Sequence, residues 1–155
     1  MDSFVRMNIR RVVASAPSLS RGSSHAAATD VAFAGDEPVK IHSGEVVKLS
    51  TGWSFELPVG IGMLILPRSG LSTKKFLRPA NTPGLLDPDY RGELFIALEN
   101  FGDVPRTIEP GDYIAQLMFV PYYKPLFQIE DSLSTTERGD GGFGSTEERN
   151  RRYSC

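Results

Sequence analysis

The run Asn81-Thr-Pro-Gly-Leu-Leu-Asp-Pro-Asp-Tyr-Arg-Gly-Glu93 brings together side chains able to move a proton and to hold a ring. Asp87 is a candidate general base, and Tyr90 is a stacking platform for a sugar or a base. The same run also reads as a β-hairpin turn, anchored by Leu85 and Leu86, because Asp and Pro are common turn residues. A second kind of chemistry sits in Leu66-Pro-Arg-Ser-Gly-Leu-Ser72. Arg68 can make paired bonds to phosphate oxygens, and Ser69 with the Gly70 amide adds neutral donors. A short helix from Leu71 would aim its free N–H groups at the same anion. By itself, however, an Arg-Ser-Gly turn occurs in many proteins.

Two further segments carry polar groups where a bare scaffold has little use for them. In Gly111-Asp-Tyr-Ile-Ala-Gln-Leu-Met118, Ile114, Gln116 and Met118 alternate with Tyr113, Ala115 and Leu117, which predicts a strand. The Gln116 amide in that apolar setting needs a partner, either backbone or ligand. Near the C-terminus, Arg138-Gly-Asp-Gly-Gly-Phe-Gly-Ser-Thr146 is flexible enough for its backbone to wrap phosphates, with Arg138, Ser145 and Thr146 as donors. A plain linker has no need of a lone Phe143 among glycines, and that ring can stack on a planar group.

These segments need a scaffold, and the composition narrows its kind. The 155 residues suit one domain, and 40% apolar against 23% charged residues suffices for a core. Fifteen glycines and 11 prolines disfavour a helical bundle, since both weaken helix interiors. Strand signals recur at short intervals: Phe4–Val13, then Val46–Leu49 and Trp53–Leu57 around a turn at Ser50-Thr51-Gly52. Ile61–Leu66, Glu93–Glu99, Tyr113–Val120 and Leu126–Ile129 continue the series, and Asn100-Phe101-Gly102-Asp103 reads as a turn. No segment longer than ten residues has clean helical periodicity, so the expected class is all-β: sandwich, barrel or jelly roll. From Ser132 onward apolar material thins, which predicts a mobile tail.

Charge and cysteine content exclude several functions. Seventeen basic against 19 acidic side chains leave a net charge of -2, without the basic excess of a nucleic-acid surface. Twelve of those 17 are arginine, the cation suited to bidentate phosphate binding. One cysteine, Cys155, rules out an intrachain disulfide and fits a reducing compartment. His25 and His42 have no cysteine near them, so no structural zinc site is expected. Apolar runs are too short for a membrane span, and arginines interrupt the N-terminal apolar residues, so no signal peptide is expected.

In register, these segments resemble the trimeric deoxyuridine triphosphate nucleotidohydrolases, the dUTPases. The five motifs of that family fall on Ala28-Thr-Asp-Val-Ala32, Pro67-Arg-Ser-Gly70, Gly84-Leu-Leu-Asp-Pro-Asp-Tyr-Arg-Gly92, Gly111-Asp-Tyr-Ile-Ala-Gln116 and Arg138–Thr146. The resemblance implies a distorted jelly-roll or β-barrel subunit spanning residues 1–132, with a flexible arm over 133–155, in a homotrimer with shared active sites. It implies hydrolysis of dUTP to dUMP and pyrophosphate, which removes dUTP from the DNA precursor pool and supplies dUMP for dTMP synthesis. By the same resemblance, Asp87 activates the attacking water, Tyr90 packs on the deoxyribose and excludes a 2′-hydroxyl, and Asn81 bonds uracil beside Gly84. Arg68, Ser69, Gly70 and Gln116 take the phosphates. In the arm, Arg138, Gly142, Gly144, Ser145 and Thr146 close on the γ-phosphate, and Phe143 covers the base. Mg2+ rides on the triphosphate, with Asp30 acting on it through water. The first, second and fourth motifs belong to one chain, the third to a neighbour, and the tail to the third subunit. The implied setting is cytoplasmic, with no stable nucleic-acid or membrane partner, and no protein partner is indicated.

The chain departs from the family pattern in places. Val31 follows Asp30 where the family has leucine, and Glu147 replaces the glycine after the tail Ser-Thr. Two other readings compete. A dCTP deaminase-like enzyme shares the fold and an Arg-Ser motif, but usually has Ala-Arg soon after the serine, where this chain has Leu71-Ser72-Thr73. A nucleotide-sensing trimeric regulatory module is suggested by the extended Glu147–Cys155 tail.

Overall fold

The computed structural model describes residues 5–142. The chain divides into two compact units, Met1–Tyr123 and Lys124–Cys155. Among its described residues the first contains ten strands and one short helix. Strands β1 (Asn8–Arg11), β4 (Val46–Glu56), β8 (Glu93–Asn100) and β6 (Leu77–Pro79) form one antiparallel sheet in the order β1-β4-β8-β6. A second antiparallel sheet runs β2-β10-β5-β7, from β2 (Thr29–Ala32), β10 (Tyr113–Pro121), β5 (Ile61–Leu66) and β7 (Gly84–Leu86). The ribbon of β3 (Val39–Ile41) and β9 (Arg106–Ile108) completes the strands, and α1 (Ser69–Lys75) follows β5. The sheets are open, and the architecture is all-β and jelly-roll-like.

The core follows from strand alternation. Along β8, Leu94, Ile96 and Leu98 point inward, while Glu93, Phe95, Ala97 and Glu99 face the other way. They pack in one cluster with Leu49 and Phe55 of β4, Met63 and Ile65 of β5, and Ile114 and Leu117 of β10. Each such aliphatic side chain contributes about 1.5–3 kcal/mol over its exposed state. The buried Asn100 is satisfied rather than stranded: Nδ2 donates to Ile41 O at 3.0 Å and Val104 O at 2.8 Å, and Oδ1 accepts from Gly102 N–H.

Several expectations change. Ser50-Thr51-Gly52 is a bulge inside one eleven-residue strand, not a turn between two. Pairing shifts between Ser50 and Ser54, and the displaced groups find partners across the sheet. Ser50 Oγ and Gly52 N–H both donate to Glu93 Oε1, and Thr51 Oγ1 donates to Leu94 O at 2.6 Å. Gly52 has φ +72°, and a Cβ there would lie 2.5 Å from that of Ala16. The third-motif run is no hairpin either, since β7 pairs with β5 while β8 pairs with β4 and β6. Residues 87–92 therefore cross from one sheet to the other. Of the two expected anchors only Leu86 is buried, and Leu85 is 63% exposed. Among the described residues, Leu126–Ile129 belongs to no strand. Within Phe4–Val13 the strand is limited to Asn8–Arg11, and Phe4 lies outside the described residues.

Candidate active site

The ladder of the second sheet gathers residues far apart in sequence. Gln116 on β10 lies opposite Asp30 on β2 and opposite Leu66 on β5, and Arg68 follows β5 by two residues. Asp30, Arg68, Ser69, Gly70 and Gln116 thus share a cleft of about 590 Å³. Arg68 Nε donates to Asp30 Oδ1 at 2.9 Å, and Nη1 donates to Tyr113 O at 3.2 Å. Both charged groups of this pair are partly solvated, so it adds only about 0–1 kcal/mol to stability. Its consequence is geometric, because the guanidinium carries more N–H donors than these two bonds engage. Helix α1 begins at Ser69, two residues before the expected start, with Arg68 as the extended residue preceding it. The Gln116 amide finds its partner in the backbone, donating from Nε2 to Pro67 O at 2.7 Å. That bond ties β10 to the start of the Arg-Ser-Gly turn.

Besides Leu71 and Gly111, four polar lining residues escaped the sequence reading of this cleft: Lys74, Lys75, Asp112 and Tyr113. The lysines occupy the last turn of α1, where cations also suit the helix dipole. Their closeness in sequence to Arg68 was the available signal. Asp112 and Tyr113 lie within the fourth motif, but strand alternation gave no reason to select them.

A second cleft, of about 290 Å³, holds the third-motif residues. Asn81, Asp87 and Tyr90 line it with Lys48, Ile65, Leu85, Leu86, Glu93, Leu94 and Phe95. Gly84 pairs with Ile65 behind this wall, and a Cβ there would come within 3.2 Å of Asn81 Nδ2. The loop is held by local ties. Tyr90 N–H donates to Asp87 O at 3.2 Å, and Tyr90 Oη donates to Glu93 O at 3.0 Å. Arg91 Nη1 donates to Pro88 O at 2.6 Å and to Tyr90 O at 3.1 Å. Gly92 leaves room for the ring, since a Cβ there would sit 2.3 Å from Tyr90 Oη. Lys48 Nζ stands 4.0 Å from the centre of the Phe95 ring.

The two clefts share no lining residue. One offers cations, a hydroxyl and main-chain amides suited to phosphate oxygens. The other offers an exposed carboxylate, an amide and an aromatic ring suited to a nucleoside. In the second unit, Arg138 Nε donates to Gly141 O at 2.8 Å, and Gly139 has φ +58° in the turn between them. Gly142 is described, whereas Phe143, Gly144, Ser145 and Thr146 lie outside the described residues. Among the described residues, no three His, Cys, Asp or Glu side chains gather as a metal cage. No described helix is long and apolar enough to cross a membrane.

The family model for dUTPase matches residues 14–147. The chain is 43% identical over 122 residues to the deoxyuridine 5'-triphosphate nucleotidohydrolase of Desulfitobacterium hafniense, covering 78% of this chain and 81% of that protein. It is 42% identical to the Rickettsia felis protein of the same description, covering 79% and 82% respectively. Its fold superposes with TM-score 0.81 on a variant of the Staphylococcus bacteriophage 80alpha dUTPase solved with dUpNHpp. That match is 27% identical and covers 91% of this chain and 98% of the other.

Proposed function

The chain belongs to the dUTPase family, and on that premise we propose that its two clefts are the phosphate and nucleoside halves of composite active sites. The activity is that of a dUTP diphosphatase, hydrolysing dUTP to dUMP. The observation that supports a composite site is the separation of the motifs. Asp30, Arg68, Ser69, Gly70 and Gln116 line one cleft, Asn81, Asp87 and Tyr90 line another, and no residue is common to both. A homotrimer joins the phosphate cleft of one copy to the nucleoside cleft of a second, and the arm bearing Arg138–Thr146 comes from the third. The exposure of Tyr123, Leu126, Phe127, Ile129 and Leu133, each at least 87%, supports such an assembly, because a run of bare apolar side chains is a surface for a partner copy.

In this reading Asp87 accepts a proton from a water as the water oxygen attacks the α-phosphorus of dUTP. The new P–O bond forms in line with the bond to the bridging oxygen, which breaks and leaves with pyrophosphate. Water and dUTP thus become dUMP and pyrophosphate. Tyr90, fixed through its hydroxyl to Glu93 O, packs on the deoxyribose, and Asn81 bonds the uracil edge. Arg68, Ser69, Gly70 and Gln116 hold the phosphate chain, while Phe143 and the arm donors Arg138, Gly142, Gly144, Ser145 and Thr146 close over the nucleotide. Mg2+ would be brought by the substrate's phosphates. The donor set fits an ion that brings phosphate and water ligands, because the cleft offers only two carboxylates, Asp30 and Asp112, and Asp30 is already tied to Arg68. Such an ion would supply charge neutralisation on the phosphates, and Asp30 is the residue that would act on it through water. The enzyme works wherever the DNA precursor pool lies, which for a chain of this kind is the cytoplasm.

Pyrophosphate release measured across dUTP, dTTP, dCTP and UTP tests this reading. Selective release from dUTP is the expected result. Ammonia release from dCTP would instead establish the deaminase alternative, against which the family match already weighs. Nucleotide binding without turnover would establish the regulatory-module alternative.

A further inference from the structure

Tyr113 and Gln116 stand three residues apart on β10, an odd spacing that places side chains of a regular strand on opposite faces. Both nevertheless line the phosphate cleft. The cause is a register shift against β2: Tyr113 pairs with Ala32 but Ala115 pairs with Val31, so β10 carries one extra residue between them. A bulge of this kind re-aims the side chain beside it. Here it turns Tyr113 toward Arg68 while Ile114 and Ala115 remain fully buried.

Two separate parts of Tyr113 then meet the same guanidinium. Its carbonyl accepts from Arg68 Nη1 at 3.2 Å, and its ring centre lies 5.2 Å from Arg68 Cζ, within cation–π range. Asp30 engages the guanidinium at Nε. One bond at Nε still lets a planar group pivot about that edge, and a second hold at Nη1 with a ring beside it fixes the plane. Ordering a long side chain before the ligand arrives lowers the entropy lost on binding.

We propose that Tyr113 is a positioning residue of the phosphate cleft, its ring and carbonyl holding Arg68 so that the remaining N–H groups face the phosphates of the substrate. The inference rests on the reading of this cleft as the phosphate half of the dUTPase site. It assigns Tyr113 an action on phosphate affinity through Arg68, with no contact to the reacting atoms.

The test uses the full-length protein and two ring-less variants, Tyr113→Leu and Tyr113→Gln, beside Tyr113→Phe. Dissociation constants are measured for dUpNHpp with magnesium and for deoxyuridine, which lacks phosphate, and thermal melting reports on folding. The ring-less variants should weaken dUpNHpp by about 3- to 5-fold. They should leave deoxyuridine binding unchanged and raise KM for dUTP more than they lower kcat, while Tyr113→Phe restores wild-type behaviour. In an Arg68→Gln background, which leaves no cation for the ring to hold, the effect of losing the ring should vanish. Unchanged dUpNHpp affinity in both folded ring-less variants overturns the proposal, as does an undiminished effect on Arg68→Gln. Equal weakening of deoxyuridine and dUpNHpp also overturns it, by marking a general structural role. Wild-type protein that neither binds dUpNHpp nor hydrolyses dUTP rejects the reading of the cleft itself, and that result is visible before any variant is made.

Discussion

Around Arg68, three adjacent strands set the functional groups by ladder register, whereas around Asp87 one loop crossing between sheets carries them. Asp30 and Gln116 face each other because β2 and β10 pair at those residues, and Gln116 reaches Pro67 because β10 also pairs with β5. The loop at 87–92 has no ladder, and relies on the Tyr90 hydroxyl, the Arg91 guanidinium and the space at Gly92. On the proposed reading of the clefts, the difference separates two tasks. Phosphate oxygens carry charge that a rigid cationic frame can meet in advance. A nucleoside must be read by shape and hydrogen bonds, which a loop of specific side chains provides. The register-built cleft should respond to changes mainly in affinity, and the loop-built cleft in turnover.

The largest effect expected on this contrast comes from Asp87→Asn. It should lower kcat about 10²- to 10⁴-fold while dUpNHpp binding stays measurable. Near-normal turnover would refute the assignment of the base. The same variant tests whether the two clefts act across chains. Mixed and reassembled with an Arg68→Ala variant, itself weakly active, it should restore activity at about a quarter of the sites, those pairing an intact phosphate cleft with an intact nucleoside cleft. No recovery in mixed assemblies would place both halves of a site on one chain.

A smaller change is expected from Gly92→Ala. The added methyl must displace the Tyr90 ring, so kcat/KM should fall about 10-fold with little loss of thermal stability. An unaffected enzyme would show that ring placement is not set by Gly92. The smallest is Tyr90→Phe, which removes only the hydrogen bond to Glu93 O. In an exposed position such a bond is worth about 1 kcal/mol, so steady-state kinetics should show a loss of roughly 5-fold or less. A much larger loss would mean that the hydroxyl itself touches the substrate.

Much of the candidate site was legible in the chain because its motifs are local. Asp87 and Tyr90 fall in one run, Arg68, Ser69 and Gly70 in another, and each run stays together whatever the strands do. The all-β class was legible from short alternating segments punctuated by glycine and proline. What local reading missed depends on partners. Ser50-Thr51-Gly52 looks like a turn until the Glu93 carboxylate, 41 residues beyond Gly52, accepts its bulged groups. The Asp-Pro run looks like a hairpin until β7 and β8 prove to belong to different sheets. Leu126–Ile129 has the composition of a strand, but composition supplies no neighbouring edge.

The order of residues is enough to say which chemistries this protein holds: a carboxylate beside an aromatic ring, an arginine before a serine and glycine, and an amide inside an apolar strand. Those are properties of residue type and near spacing, and they survive any arrangement of the sheets. That the chemistries fall into two clefts rather than one, and that Tyr113 joins Gln116 in lining one of them, follows from strand pairing. The physical reason is that strand register and bulges are set by the hydrogen-bonding needs of the paired strand. A one-residue shift there exchanges the faces of every side chain beyond it.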